Sequence, residues 1–379
     1  MKLICGPMAT ISHPAFRIMI EKFGCCDEYF TEMINAGTLL TNGPFEKYYI
    51  DPTPVPQKVV WQLTGRTTEH MEAAAKELVK LPGIGIDINM GCSAPDIYRF
   101  GSGIGWMLKP IEETKEMVQA VSTVIKNHNE QTGENKRFSI KLRLGDDNFT
   151  DNQFFDFCDM LVSNGAKMLT LHPRTKKEKL SRPARYFYCE ELVKRYKKDG
   201  VEIILNGNVK DKASFDNAIS KAPSVDGVMI SRAAVQKPWI FYELAKCGVG
   251  NCELIEENEK TVDLQQLCLD YIKDIEKYQP KEFWKTRLQR FFTYFSENFK
   301  FAHYAKTSFL NAKDNEDLRQ KVNAFFTECP EEKVFKFRIQ NSEFWIKNKP
   351  SFPRLKTMFF CVILNLWTLH SCSVCKKNQ

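Results

Sequence analysis

The stretch Leu3-Ile4-Cys5-Gly6-Pro7-Met8-Ala9-Thr10 decides the fold class. It is a short apolar run broken at Gly-Pro. A doubly wound open sheet that binds a dinucleotide at its first turn needs a glycine-rich fingerprint directly after the first strand, and Gly6-Pro7-Met8-Ala9-Thr10 is not one. Working outward from 3–8, further apolar, strand-length runs occur at 29–32, 59–63, 84–89, 138–143, 168–172, 202–206 and 227–231. Amphipathic stretches of helix length lie between most of them. In 68–80, Ala73, Ala74 and Leu78 share a face; in 112–126, Met117, Val118, Val121 and Ile125 do. Eight parallel strands joined by right-handed helical crossovers close into a barrel. The expected fold is therefore α/β, a (β/α)8 TIM barrel over 1–245.

The pattern breaks near Gly248-Val249-Gly250-Asn251. Over 255–330 the sequence is helical and strand-poor. Leu264, Leu267, Tyr271, Ile272 and Ile275 recur at helical spacing, as do Trp284, Leu288, Phe291, Phe292 and Phe295. This predicts a small all-α helical bundle after the barrel. Residues 331–379 form a basic, apolar tail.

Composition narrows the class. The chain has 379 residues, 43% hydrophobic and 27% charged, which excludes wholesale disorder. Its net charge of +7 permits a polyanionic partner. Residues 331–379, however, hold nine Lys/Arg against three Asp/Glu, so almost all of that excess sits in the tail. The thirteen cysteines are scattered, and Met1-Lys2-Leu3-Ile4-Cys5 leads into Gly6-Pro7 without an apolar targeting core, so a reducing, cytoplasmic location is expected. No apolar run reaches the length of a membrane span. Cys372-Ser373-Val374-Cys375 lacks a second ligand pair, and no metal is expected.

In a barrel of this kind chemistry sits at the C-terminal ends of the strands. The polar residues there are Gln62; Asp87 and Asn89, with Cys92 just beyond; Lys141 and Arg143; His172 and Arg174; Asn206-Gly207-Asn208; and Ser231-Arg232. A strand lysine such as Lys141, alternating with Ile140 and Leu142, needs an anionic or polar partner if it points inward. His172 fits either a satisfied structural histidine or a site residue. Cys92 fits either a small buried hydrophobe or a thiol that is mostly protonated at neutral pH and able to donate. The loops after strands seven and eight often hold a phosphate in barrels, and Arg232 adds a bidentate charge. Together these residues suggest a phosphate-bearing cofactor across the mouth.

The constellation resembles the tRNA-dihydrouridine synthases. The matching segments, in the family's order, are Pro7-Met8-Ala9 with Ala15-Phe16-Arg17; Thr31-Glu32-Met33; Gln62-Leu63; Asp87 to Cys92; Lys141-Leu142-Arg143; Leu171 to Thr175; Asn206-Gly207-Asn208; and Gly227 to Arg232. The resemblance implies an oxidoreductase that reduces the C5=C6 bond of a uridine in tRNA, with FMN as cofactor and NADPH as reductant. It implies hydride delivery from flavin N5 to C6 and proton delivery from Cys92 to C5. Pro7, Met8 and Gln62 would line the flavin, and Lys141 and His172 would meet its pyrimidine edge. Asn206, Asn208, Ser231 and Arg232 would hold its phosphate end, and Asn89 and Arg174 would position the uracil. The helical segment would be the family's RNA-binding domain, and no stable protein partner is implied. The sequence departs from the family at Ser93, where proline usually follows the cysteine, and at Ser231-Arg232-Ala233, where Gly-Arg-Gly is usual.

Two other readings share parts of this pattern. An FMN barrel enzyme acting on a small molecule, like dihydroorotate dehydrogenase, would share the flavin residues without needing a helical RNA domain. A non-catalytic RNA-binding protein would not need Cys92, Lys141 and His172 together. The run Phe283-Trp284-Lys285-Thr286-Arg287-Leu288-Gln289-Arg290 sets basic residues among aromatics. It reads either as an RNA-facing surface or as a core helix with a solvated basic face, and the resemblance favours RNA.

Overall fold

A computed structural model describes residues 1–178, 182–250 and 261–337. The CxxC motif and most of the basic tail lie outside the described residues, as do Lys179, Leu180 and Ser181.

All eight expected strands form. They are β1 (Lys2–Cys5), β2 (Glu28–Phe30), β4 (Val59–Thr64), β5 (Gly85–Met90), β6 (Arg137–Leu142), β7 (Met168–Leu171), β8 (Glu202–Asn206) and β9 (Gly227–Ile230), with a two-residue stub β3 (Ile34–Asn35) beside β4. Every neighbouring pair is parallel, and the β1–β2, β2–β4 and β1–β9 pairings close the ring. The result is a (β/α)8 barrel. Ile4, Phe30, Val60, Met168, Ile204 and Met229 form an apolar layer inside it. Burying such side chains is the main favourable term in closing the barrel. At the N-terminal ends of the strands, Glu28 accepts from both Arg137 terminal nitrogens, at 2.8 and 2.5 Å, and pairs with Lys2 at 3.1 Å.

The strand register positions the site. Gln62 pairs with Asp87 and Asp87 with Ser139, one polar row across three strands. Two residues further up, Asn89 pairs with Lys141 and Lys141 with Thr170. Strand side chains alternate faces, so both rows point the same way, while Ile86, Ile88 and Met90 turn outward to the crossover helices.

Four helices follow: Leu264–Tyr278, Lys281–Phe295, Ala302–Leu310 and Asn315–Glu328. Asp263 caps the first by accepting from Gln266 N at 2.9 Å. Pro280 sets the start of the second. Their core is aromatic: Tyr271 and Phe291 ring centroids are 3.9 Å apart, and those of Phe291 and Phe295 4.9 Å. A short antiparallel pair, β10 (Thr261–Asp263) and β11 (Val334–Lys336), joins the two ends of this segment. Barrel and helices make one compact unit, Met1–Lys336.

The run 283–290 does not present all its basic residues to solvent. Lys285 and Arg290 are exposed, but Arg287 is only 2% exposed and hydrogen-bonds Glu32 of the barrel through its NH1 nitrogen. Its guanidinium also lies over the Phe283 ring, 5.0 Å from the centroid. The arginine seats the helices on the barrel, because a buried charge needs a partner.

Candidate functional site

At the C-terminal mouth a cavity of about 610 Å³ lies between the ends of β6–β9 and the second of the four helices. Lys141, His172, Asn206, Asn208, Ser231 and Arg232 all line it, so the structure gathers six of the expected residues around one space. No carboxylate lines it among the described residues. Lys141 Nζ makes no hydrogen bond or ion pair among the described residues. Burial, reinforced by Arg143, pulls its pKa down to about 8.

The loop after β8 is shaped for close approach. Gly207 has φ +126° and Asn208 φ +56°. A Cβ on Gly207 would sit 3.0 Å from the His172 ring, so both conformation and space call for glycine. Tyr186 donates its hydroxyl to the Gly207 carbonyl at 2.8 Å, and Asn206 Nδ2 donates to Met229 O at 2.8 Å. Across the cavity, Arg232 and Ala233 open a short helix, Arg232–Gln236. Ala233 is therefore helical, and this turn does not need the positive φ that a glycine would supply.

Gln62, Asn89 and Cys92 form a second group. Asp87 accepts from Gln62 Nε2 at 2.8 Å and from Ser139 Oγ at 2.9 Å. Gln62 Oε1 accepts from Asn89 Nδ2 at 2.8 Å. Asn89 Oδ1 in turn accepts the backbone N–H of Cys92 at 2.9 Å and of Gly91 at 3.2 Å. The Asp87 carboxylate thus fixes which way the Gln62 amide points, and a chain of hydrogen bonds runs from the barrel interior to the cysteine turn. Burial raises the pKa of Asp87 to about 6. Arg143 braces the same turn by donating from Nε to Gly91 O at 2.8 Å. Gly103, at φ +58°, packs where a Cβ would meet the Cys92 carbonyl at 2.7 Å. Cys92 is a free thiol, half-buried on this turn.

Arg174 is fully buried behind His172, its Nε donating to Arg182 O at 2.5 Å. Burial first, then Arg143, Lys141 and the other cations nearby, hold the His172 pKa far below its ordinary value. Pro7 and Met8 are half-buried on the turn after β1, where Met8 N donates to Ser12 Oγ at 2.9 Å.

Ser139 and Tyr294 are not among the sequence candidates, and Asp87 stands there only as a polar residue at a strand end, without a role. Asp87 and Ser139 share the inward parity of Asn89 and Lys141, a signal present in the sequence. Tyr294, in the helical segment, also lines the cavity, and nothing local in the sequence marks it.

The chain matches the family model described as "Dihydrouridine synthase (Dus)" over residues 3–329. It is 31% identical over 244 residues to a probable tRNA-dihydrouridine synthase of Aquifex aeolicus, covering 64% of this chain and 72% of that one. A match to the probable tRNA-dihydrouridine synthase 2 of Bacillus subtilis is 23% identical over 327 residues, covering 85% and 93%. The probable tRNA-dihydrouridine synthase of Helicobacter pylori strain 26695 is 26% identical over 244 residues, covering 64% and 69%. This chain belongs to the dihydrouridine synthase family of oxidoreductases.

Proposed function

We propose that the protein reduces the C5=C6 bond of a uridine in tRNA to 5,6-dihydrouridine, with FMN as cofactor and NADPH as reductant. The observation that carries this reading is the carboxylate-free cavity whose Lys141 ammonium makes no hydrogen bond among the described residues, within electrostatic reach of the free Cys92 thiol on its braced turn. An anionic, planar ligand fits these residues. The unpartnered cation, the neutral imidazole and the left-handed Gly207-Asn208 turn all suit a group with a polar ring edge at one end and a phosphate at the other. Asn208 and Arg232, with Asn206 and Ser231 alongside, would hold the phosphate end. Pro7, Met8 and Gln62 would line the ring, and Lys141 and His172 would offer N–H donors to its edge. When bound and reduced, FMN supplies the hydride for uracil C6.

The chain's own residues do the rest. Cys92 donates its proton to C5 as negative charge develops there, and water returns a proton to the thiolate. Asn89 and Arg143 hold the turn that aims the thiol. Lys141 and the His172 N–H stabilise negative charge without reorganising. The barrel over 1–245 would carry the chemistry, and the helices over 255–330 would grip the folded RNA while the target base leaves its stack.

The test combines colour and product. Purified protein, or flavin-free protein reconstituted with FMN, should show flavin absorbance and restore dihydrouridine to tRNA from a strain lacking it. Cys92→Ala should keep the flavin and lose about 10²- to 10⁴-fold of uridine reduction, the range for a lost general acid. Undiminished turnover would move the proton source elsewhere, and a protein unable to hold flavin would sink the assignment.

A further inference from the structure

We propose that the phosphate end of the cavity is shared between barrel and helices, with Tyr294 of the helical segment giving a hydroxyl donor to the phosphoryl group that Asn208 and Arg232 hold. This rests on the cofactor reading above and extends it, because it gives a residue outside the barrel a part in binding the phosphate-bearing ligand.

Three independent observations support it. First, Tyr294 lines the same cavity as Asn208, Arg232 and Gln236, so the second of the four helices forms part of its wall. Second, the Tyr294 hydroxyl has no hydrogen-bond partner among the described residues. Its ring is half-buried and lies against Arg290, whose guanidinium is 5.3 Å from the centroid. The ring lines the cavity while its polar end stays available, as suits an aromatic with a polar tip. Third, the short helix carrying Arg232 is fastened to the helical segment. Asn298 Nδ2 donates to the Gln236 carbonyl, and Trp239 just beyond packs edge-on against Phe295, centroids 6.4 Å apart. Arg232 and Tyr294 therefore sit on elements locked to one another.

The chemistry selects the ligand class. A phenol O–H donates well to a phosphate oxygen, and charge-assisted bonds of this kind are shorter and stronger than neutral ones. A flavin lacking the phosphate would leave the hydroxyl without that acceptor. Linkage follows: whatever binds there also stabilises the seat of the helices, and a firm seat tightens binding by the same factor.

The experiment titrates flavin-free full-length protein with FMN and with riboflavin, following quenching of flavin fluorescence, for wild type, Tyr294→Phe and Tyr294→Ala. Circular dichroism checks that each variant is folded. Tyr294→Phe should weaken FMN about tenfold, as expected for loss of one hydrogen bond to a charged group, and leave riboflavin affinity unchanged. Tyr294→Ala should weaken FMN at least as much. Equal FMN affinity in wild type and Tyr294→Phe would overturn the proposal, and so would an equal loss for both flavins, which would mean a general packing defect. Failure of wild-type protein to bind either flavin would overturn the cofactor reading itself. That outcome is distinct from the loss of Tyr294's share, which shows only as a change in the FMN-to-riboflavin ratio. In a parallel arm, 10 mM inorganic phosphate should raise the thermal midpoint of wild type more than that of Tyr294→Phe.

Discussion

Arg174 NH1 lies 2.7 Å from Nε2 of His172, and because a guanidinium can only donate, that imidazole nitrogen is the acceptor. The ring is neutral, since burial and the surrounding cations oppose a further charge. Its one proton is therefore on Nδ1, and the buried arginine sets the tautomer of a cavity residue. Nitrogen-15 NMR of histidine-labelled protein should show His172 as the Nδ1–H form, without titration between pH 5 and 8. Arg174→Met should let the two tautomers mix, visible as averaging of the two ring-nitrogen shifts.

Lys141 gives the site a pH dependence of definite sign. Its pKa in the folded protein is about 8, below the ordinary lysine value. As pH rises through 8 the cavity loses its ammonium while the unfolded chain still keeps a proton, so the ligand-free fold gains stability between there and the ordinary lysine value and loses it as pH falls through 8. Ligand binding runs the other way, because an anion prefers the protonated form. FMN affinity should fall between pH 7 and 9, and Lys141→Met should bind more weakly at pH 7 with a flatter profile. Fluorescence titrations at each pH measure both.

Asn89 is spent on holding the cysteine turn, accepting from two backbone N–H groups and donating to Gln62. Asn89→Ala should leave flavin content intact and slow uridine reduction by about 10²-fold, the scale of a 1 Å misplacement of a reacting group. Asn89→Asp keeps the acceptor for the turn but cannot donate to Gln62, and should fall between the two. Single-turnover reduction of tRNA with pre-reduced enzyme separates these effects from cofactor loss.

The Glu32–Arg287 pair is buried on both sides, at 5% and 2% exposure for the two residues. Removing one member strands the other, so Arg287→Met or Glu32→Gln should each cost about 3–5 kcal/mol. The double variant should recover much of that loss, since no lone charge remains. Urea unfolding of the four proteins closes the cycle.

Much of the barrel was legible because its signal is local. Each strand is a short apolar run, and inward residues such as Asp87 and Asn89, or Ser139 and Lys141, repeat every second position. The contact between Gln62 and Asp87 was not legible, since it depends on the register between two strands. Arg287 shows the limit more sharply. A basic residue among aromatics reads the same whether it faces solvent or a carboxylate 255 residues away, and only tertiary packing separates the two. Tyr294 escaped for a similar reason: its position in the wall follows from how the helices dock. The departure at Ala233 is compatible with the helical start that the structure gives this turn.

The pairing of Thr261–Asp263 with Val334–Lys336 brings the two ends of the helical segment side by side. A segment whose ends meet can be replaced as one unit by another set of helices of the same span. The replacement would still have to carry an arginine for Glu32 and a tyrosine for the cavity wall. A new helical surface is thus tied to the barrel it sits on: chimeras without an arginine for Glu32 should assemble poorly even when their junctions are seamless, and those without the tyrosine should fold with an altered cavity wall.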